Sequence, residues 1–362
     1  MLASVPGALA VETLADPVPG PGEVLIEVKA CGVCHTDLHV MKGEVTFPTP
    51  CVLGHEVAGV VGEVGPGVAG FDVGAEVVGC FIMPCGSCRH CVLGHEDLCE
   101  TFFTFNRLRG VLYDGTSRLR RLDGSPVWMY SMGGLAERCV IPATAVYPMP
   151  RGVSFAHAAV LGCSAFTALG AVRNVGRVRV GETVAVVAVG GVGANLIQLS
   201  AAFGAARIIA VDVADEKLEL ARRMGATEVV DGRRPDVVEA VRELTDGRGV
   251  DVAFEALGRA RTVSTAVDVV DDGGRVVLVG IAPGGEVAPV EITRTVRRKI
   301  QILGSYGARA RVDMPLLLDL VAGGRLDLES LVSARFALDE VQRAYDLLDR
   351  GQIVGRAVVE WT

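Results

Sequence analysis

Four cysteines stand close together as Cys85-Gly-Ser-Cys88-Arg-His-Cys91 and then Cys99, with two, two and seven residues between successive thiols. Four thiolates from one compact loop can surround a tetrahedral zinc ion with Zn–S distances of ~2.3 Å, and four protein ligands leave no open position. The spacing therefore predicts a structural zinc site. An iron–sulfur cluster also takes four thiolates, but usually at other spacings. His90 and His95 lie in the same segment and are expected at its solvated surface, because the cysteine set is complete without them.

A second group of soft ligands is scattered. Cys34, His55 and Cys163 each read alone as a core residue, and Cys31 with Cys34 forms a C-x-x-C pair open to a redox reading. Their contexts narrow the choice: Cys34-His35-Thr36-Asp37-Leu38-His39, then Gly54-His55-Glu56-Val57-Ala58-Gly59, then Leu161-Gly162-Cys163.

A third feature is the glycine turn of Val186-Val187-Ala188-Val189-Gly190-Gly191-Val192-Gly193. It follows an apolar run and precedes helical spacing, so its backbone N–H groups can approach a pyrophosphate at a helix N-terminus. Ala188 stands where such turns usually carry their first glycine, and a methyl there costs little if the backbone keeps a negative φ. Asp212 comes 19 residues after Gly193. A carboxylate there can bind both adenosine ribose hydroxyls and repels a 2′-phosphate, which favours NAD over NADP.

The elements that must hold these residues fall into two styles. Residues 22–30 alternate as a strand, and the chain to about 160 is rich in Val, Gly and Pro with short apolar runs, a mostly β pattern. From about 163, strands (Thr183 to Val189, Arg207 to Val211, Val229–Val230, Val250 to Phe254, Arg275 to Val279) alternate with helices such as Ala194 to Phe203 and about Asp215 to Met224. That order predicts a parallel sheet covered on both faces. The tail supplies helices near 312–322 and 338–350 and a strand at Ala357 to Glu360. It is too short for a domain and is expected to return to the first half.

The 362 residues carry a net charge of −8 without a long run of like charges, which disfavours nucleic acid and anionic membranes as partners. No stretch is apolar and long enough to span a bilayer, and Met1 to Val5 lack the features of a signal peptide. Ten cysteines, four of them crowded between Cys85 and Cys99, in such a chain suggest metal binding in a reducing compartment, and a cytoplasmic location is expected.

Taken together, the Gly-His-Glu-x-x-Gly segment, the cysteine lobe and Leu161-Gly162-Cys163 resemble, in order and over essentially the whole chain, the zinc-containing medium-chain alcohol dehydrogenase family. The resemblance implies an α/β protein with a GroES-like, mostly β catalytic domain (1–163, carrying both zinc sites). A Rossmann-type doubly wound parallel sheet (164–304) would bind NAD, and 305–362 would return to the catalytic domain. It makes Cys34, His55 and Cys163 ligands of a catalytic zinc, a Cys2His set for which alcohol dehydrogenases are themselves the usual example. The other zinc would sit in Cys85, Cys88, Cys91 and Cys99. Glu56 would lie behind the catalytic metal, and Asp37 would accept a hydrogen bond from the ligating imidazole. Gly190, Gly191, Val192 and Gly193 would line the dinucleotide, with Asp212 and Lys217 on the adenosine ribose. His35 and Arg356 would lie near the pyrophosphate, and Thr167, Val192, Val279 and Ile281 around the nicotinamide. A proton would leave through Thr36, a ribose hydroxyl and His39.

Phe81 matches a pocket-lining aromatic, while Phe102, Phe103 and Phe105 could extend an apolar wall or serve as core. The glutathione-handling branch of the family usually has acidic residues where this chain has Val45 and Phe47, and an arginine at Phe103. A primary or aromatic alcohol or its aldehyde is therefore the expected substrate. The alternatives are a nicotinoprotein that retains its NAD(H), or a non-catalytic zinc protein that binds dinucleotide. The family also implies a homodimer or homotetramer, with Arg275 to Ile281 and Ile300 to Leu303 as candidate contact strands.

Overall fold

Strand Glu23–Val33 is buried along nearly all of its length, because three other strands pair with it. It runs antiparallel to Val57–Val64, Arg138–Pro142 and Arg356–Glu360. The alternation seen at 22–30 thus understates its burial: the strand lies inside a sheet whose other members come from distant parts of the chain. The computed structural model describes residues 1–282 and 284–361. The sheet has seven strands. Beyond those four it includes Glu76–Gly79, Val146–Pro148 and Val332–Ala337, the last parallel to Arg356–Glu360. A small sheet of Cys51–Val52, Pro126–Met129 and Leu119–Arg120 stands apart from it.

The chain divides into two compact units. The first comprises Met1–Phe166, Arg309–Ala322 and Val332–Thr362; the second comprises Thr167–Ala308 and Gly323–Leu331. The tail expected as one continuous return from 305 is therefore interrupted. Asp327 N–H donates to the buried amide oxygen of Gln198, which ties 323–331 to the second unit.

That second unit is a six-stranded parallel sheet in the order Glu228–Asp231, Arg207–Asp212, Thr183–Val187, Val250–Glu255, Val270–Leu278, Gln301–Gly304. Ala185, Val187, Ile209, Val211, Ala253 and Val276 pack with Val237, Val241, Ala266 and Val267 from two helices to form a fully apolar core. Both sheet faces are apolar: Val184, Val186, Ile208 and Ala210 are also buried. This explains the continuous rather than alternating apolar runs in these strands. The Rossmann-type sheet expected from the sequence is present.

The glycine turn departs from expectation at one residue. Ala188 has φ +76°, in the left-handed region, and not the negative φ that would make its methyl harmless. Its N–H donates to Val211 O at 2.8 Å and its carbonyl lies against Gly193, where a Cβ would come within 2.1 Å of Ala188 O. Gly193 is therefore obligatory, whereas Ala188 holds a conformation costing a non-glycine residue ~1–2 kcal/mol. Glycine gives back part of this through unfolded-state entropy. Ala188→Gly is expected to stabilise the protein by about 1 kcal/mol, read as a higher urea midpoint at unchanged slope.

Candidate active site

Cys34 ends the buried strand Glu23–Val33 and stands as N-cap of helix His35–Lys42, with φ −130° and ψ 146°. The first turn of that helix carries His35 (exposed), Thr36 and Asp37. Cys163 lies between the 3-10 turn Val160–Gly162 and helix Ser164–Leu169. His55 and Glu56 follow the pairing of Gly32 N–H with Glu56 O, which brings them beside Cys34. The result is a buried cluster: the ligand atoms of Cys34, His55, Glu56 and Cys163 all lie within 4.8 Å of one another.

Hydrogen bonds around His55 decide which ring nitrogen faces the cluster. Nδ1 lies 3.2 Å from Asp37 Oδ1 and donates to it. Nε2 is buried and has no hydrogen bond among the described residues. An imidazole so held turns Nε2 toward two thiols, with Glu56 Oε1 3.9 Å away, beyond hydrogen-bond reach, and leaving that buried nitrogen without a hydrogen bond is costly unless a cation takes it. Asp37 is fully buried and accepts two further bonds, from Gly54 N–H (3.1 Å) and Tyr345 Oη (3.1 Å). Tyr345 was not singled out from the sequence, since it lies 308 residues from Asp37 and reaches it only because the tail returns.

The electrostatics of the cluster suit a bound cation. A hydrogen bond from Cys163 holds the Cys34 thiol well below its usual range, and the same bond pushes Cys163 well above its own. Burial opposes charge on His55, yet the Asp37 carboxylate and Cys34 raise it well above normal. Burial pushes Glu56 up to about 7, against the pull of Arg356. A divalent cation would neutralise two thiolates, while Arg356 pairs with Glu56 through Nη2 and Oε1. The donor set of two sulfurs and one imidazole nitrogen suits zinc. Arg356 is 5% exposed, and this ion pair, 300 residues apart in sequence, was not legible there.

Aromatic rings surround the imidazole. Phe81 and Tyr130 stand edge-on to His55 at 6.1 and 6.4 Å, Phe47 packs on Tyr130 at 4.8 Å, and Phe166 on Phe81 at 6.2 Å. The Arg107 guanidinium covers the Tyr130 ring at 4.3 Å. Tyr130 and Arg107 carried no sequence signal. Phe102 is fully buried and meets Phe103 edge-on at 5.3 Å, so it serves as core.

Thr36 Oγ1 lies 3.6 Å from Cys34 Sγ, so a hydroxyl stands at the edge of the cluster. His39 is on the same helix, partly exposed, with Nδ1 against Glu44.

In the cysteine lobe, the four sulfurs of Cys85, Cys88, Cys91 and Cys99 also lie within 4.8 Å of one another. Backbone N–H groups of Cys85 and Phe102 point at Cys99 Sγ (3.3 and 3.4 Å), and that of Cys88 at Cys85 Sγ (3.2 Å). Such bonds suit thiolates. Buried Glu96 anchors the lobe by pairing with Arg311, whose Nη2 also donates to Cys91 O at 3.1 Å. The other cysteines, 31, 51, 80 and 139, are fully buried, and burial pushes each thiol up, Cys51 and Cys139 to about 12.

In the second unit, Gly190 is the N-cap of helix Gly191–Ala202, which contains Val192 and Gly193. Asp212 is 8% exposed at the end of its strand. Its Oδ2 accepts Val189 N–H at 2.7 Å and its Oδ1 accepts Ala214 N–H at 3.0 Å, so the carboxylate is locked to the glycine turn. Lys217 lies in the first turn of helix Asp215–Arg223. Val279 is buried and Ile281 43% exposed, both past the end of strand Val270–Leu278, and Thr167 lies in helix Ser164–Leu169.

Comparison with known proteins accounts for both units. Residues 20–151 match the alcohol dehydrogenase GroES-like domain, and 191–323 match the zinc-binding dehydrogenase family. The S-(hydroxymethyl)glutathione dehydrogenase of Paracoccus denitrificans is 32% identical over 353 residues, covering 94% of this chain and 93% of its own. A putative alcohol dehydrogenase D of Mycobacterium tuberculosis is 34% identical over 346 residues, with 94% and 93% covered. Among solved structures, benzyl alcohol dehydrogenase from Acinetobacter calcoaceticus superimposes with a TM-score of 0.92 at 28% identity, covering 99% of this chain and 98% of that one. A putative zinc-binding dehydrogenase from Sinorhizobium meliloti 1021, bound to NADP, gives 0.80 at 31%, with 95% and 94% covered.

Proposed function

This chain being a member of the zinc-containing medium-chain alcohol dehydrogenase family, we propose that it transfers a hydride between NAD(H) and a primary or aromatic alcohol or its aldehyde. The observation that carries the reading is the buried His55 Nε2, held without a hydrogen bond among the described residues and beside the thiols of Cys34 and Cys163. Those three residues would hold a catalytic zinc, with Glu56 behind it, and Cys85, Cys88, Cys91 and Cys99 a structural one.

Zinc supplies a Lewis acid for the substrate oxygen, and NAD the hydride acceptor. The protein does the rest. Asp37, itself fixed by Gly54 and Tyr345, holds the His55 tautomer. Thr36 Oγ1 takes the alcohol proton at the edge of the cluster, and His39 delivers it to solvent. Phe81, Tyr130 and Phe47 exclude water and favour a flat apolar substrate. Gly190 to Gly193 and Asp212 would bind the dinucleotide, Lys217 its ribose, and Thr167, Val279 and Ile281 its nicotinamide.

Boundaries near 163 and 304, the cytoplasmic location and a homodimer or homotetramer belong to the same proposal. Ten cysteines with no disulfide among the described residues fit a reducing compartment. The edge strand Gln301–Gly304 and the exposed Ile292 and Val296 nearby in sequence offer a contact surface. Among the described residues no single helix is long and apolar enough to cross a membrane.

The relatives named for S-(hydroxymethyl)glutathione set the test. NAD⁺ reduction is followed with ethanol, benzyl alcohol, cinnamyl alcohol and S-(hydroxymethyl)glutathione. The expected order of kcat/KM places benzyl and cinnamyl alcohol first. A higher value for the glutathione adduct than for every simple alcohol would overturn the substrate assignment.

A further inference from the structure

Helix His35–Lys42 ends at Gly43, whose φ is +79°. Gly43 N–H donates to Val40 O (3.0 Å) and Glu44 N–H to His39 O (2.9 Å), the paired bonds by which a left-handed cap reverses the chain. This cap carries the residue after the glycine back over the helix's last turn. Here that residue is Glu44, and its Oε2 meets His39 Nδ1. Neither side chain is fully exposed: they retain 20% and 32% of their accessible surface. The neighbouring cation, Lys42, is engaged elsewhere, by Asp349 of the packed helix Val341–Asp349.

We infer that Glu44 is a positioning residue for proton release: its carboxylate accepts the Nδ1–H of His39 and so fixes Nε2 as the free, proton-accepting nitrogen. This rests on the reading of His39 as the last station of the proton path. A carboxylate can only accept, so beside Nδ1 it selects the tautomer with the proton on Nδ1. An unconstrained neutral imidazole prefers the other tautomer, with its lone pair on Nδ1. Without Glu44 the base would mostly present an N–H where it must present a lone pair. During alcohol oxidation the hydride leaves with both electrons, and the hydroxyl proton arrives on Nε2. The imidazolium so formed keeps its Nδ1–H on Glu44, and Nε2 then returns the proton to water. The carboxylate is not consumed.

The experiment uses the full-length, zinc-loaded protein labelled with ¹⁵N at histidine, of which there are six. His39 ring signals are assigned by their loss in His39→Gln. At alkaline pH the wild type is expected to show a protonated Nδ1 and an unprotonated Nε2. Glu44→Ala should reverse that pattern and lower kcat for alcohol oxidation about tenfold, with KM for NAD and zinc content unchanged. Glu44→Gln, whose amide can accept or donate, should fall between the two. An unchanged His39 pattern in Glu44→Ala overturns the inference, as does an unchanged kcat while His39→Gln is impaired. If His39→Gln itself turns over normally, the proton path through His39 is wrong and the inference falls with it.

Discussion

Cys163→Ala is expected to release one of two zinc ions per chain and to lower kcat by roughly 10³-fold or more, with the fold retained. The size follows from what the ion does: Lewis-acid stabilisation of the reacting oxygen is worth several kcal/mol, and each ~1.4 kcal/mol is a factor of ten. Retention of the fold follows from the position. Cys163 is 7% exposed, its side chain is small, and the neighbouring backbone is fixed independently by Phe81 N–H on Gly162 O (3.0 Å) and by Ser164 Oγ on Val160 O (3.0 Å). Removing one sulfur leaves both anchors in place. Cys99→Ala separates the two sites. Cys99 Sγ accepts two backbone N–H groups inside the cysteine lobe, so that variant should lose the other zinc together with the lobe's order. Zinc analysis, circular dichroism and turnover distinguish the two variants. One zinc per chain in the wild type, unchanged in Cys163→Ala, would show that the buried Cys2His cluster holds no metal.

The parts of this site that could be read from sequence are those whose geometry is local. The cysteine lobe is one: its ligands fall within 15 residues, so their spacing alone constrains the sulfurs. The glycine turn is another, because a strand, a turn and a helix follow one another without interruption. Asp212 could be placed for the same reason, at the end of the next strand. What escaped depends on chain return. Tyr345 fixes Asp37, Arg356 pairs with Glu56, and Arg311 with Glu96, each across more than 200 residues. No periodicity announces such pairs. The tail itself was legible as two helices and a strand, but not its interruption by 323–331, which rests on the side chain of Gln198. Ala188 shows a different limit. The residue type argues for negative φ, yet the turn between Val187 and Gly190 imposes +76°, so tertiary geometry overrides local preference. Arg107 and Tyr130 meet through an irregular helix, Phe102–Arg107, whose wider turns shift side chains off ordinary helical spacing.

Asp212→Ala is expected to raise KM for NAD by about 10- to 100-fold, since hydrogen bonds to a charged acceptor contribute ~1.5–3 kcal/mol, and to narrow or reverse the preference over NADP. Each carboxylate oxygen of Asp212 already accepts one backbone N–H, from Val189 and from Ala214. A carboxylate has about four lone-pair sites, so two remain for the vicinal hydroxyls of an adenosine ribose. A 2′-phosphate there would replace an attraction with repulsion between two anions, at a carboxylate only 8% exposed, where water screens poorly. The alanine variant also removes the acceptor for two turn N–H groups, so lost cofactor binding and a loosened turn would be confounded. Asp212→Asn separates them, because its amide oxygen still accepts one of those bonds while the charge is gone. If charge sets the preference, Asn and Ala should lose discrimination against NADP alike, with Ala alone showing a lower unfolding midpoint. If both variants lower stability but keep the wild-type cofactor ratio, Asp212 is a strut of the glycine turn and the choice between NAD and NADP is made elsewhere.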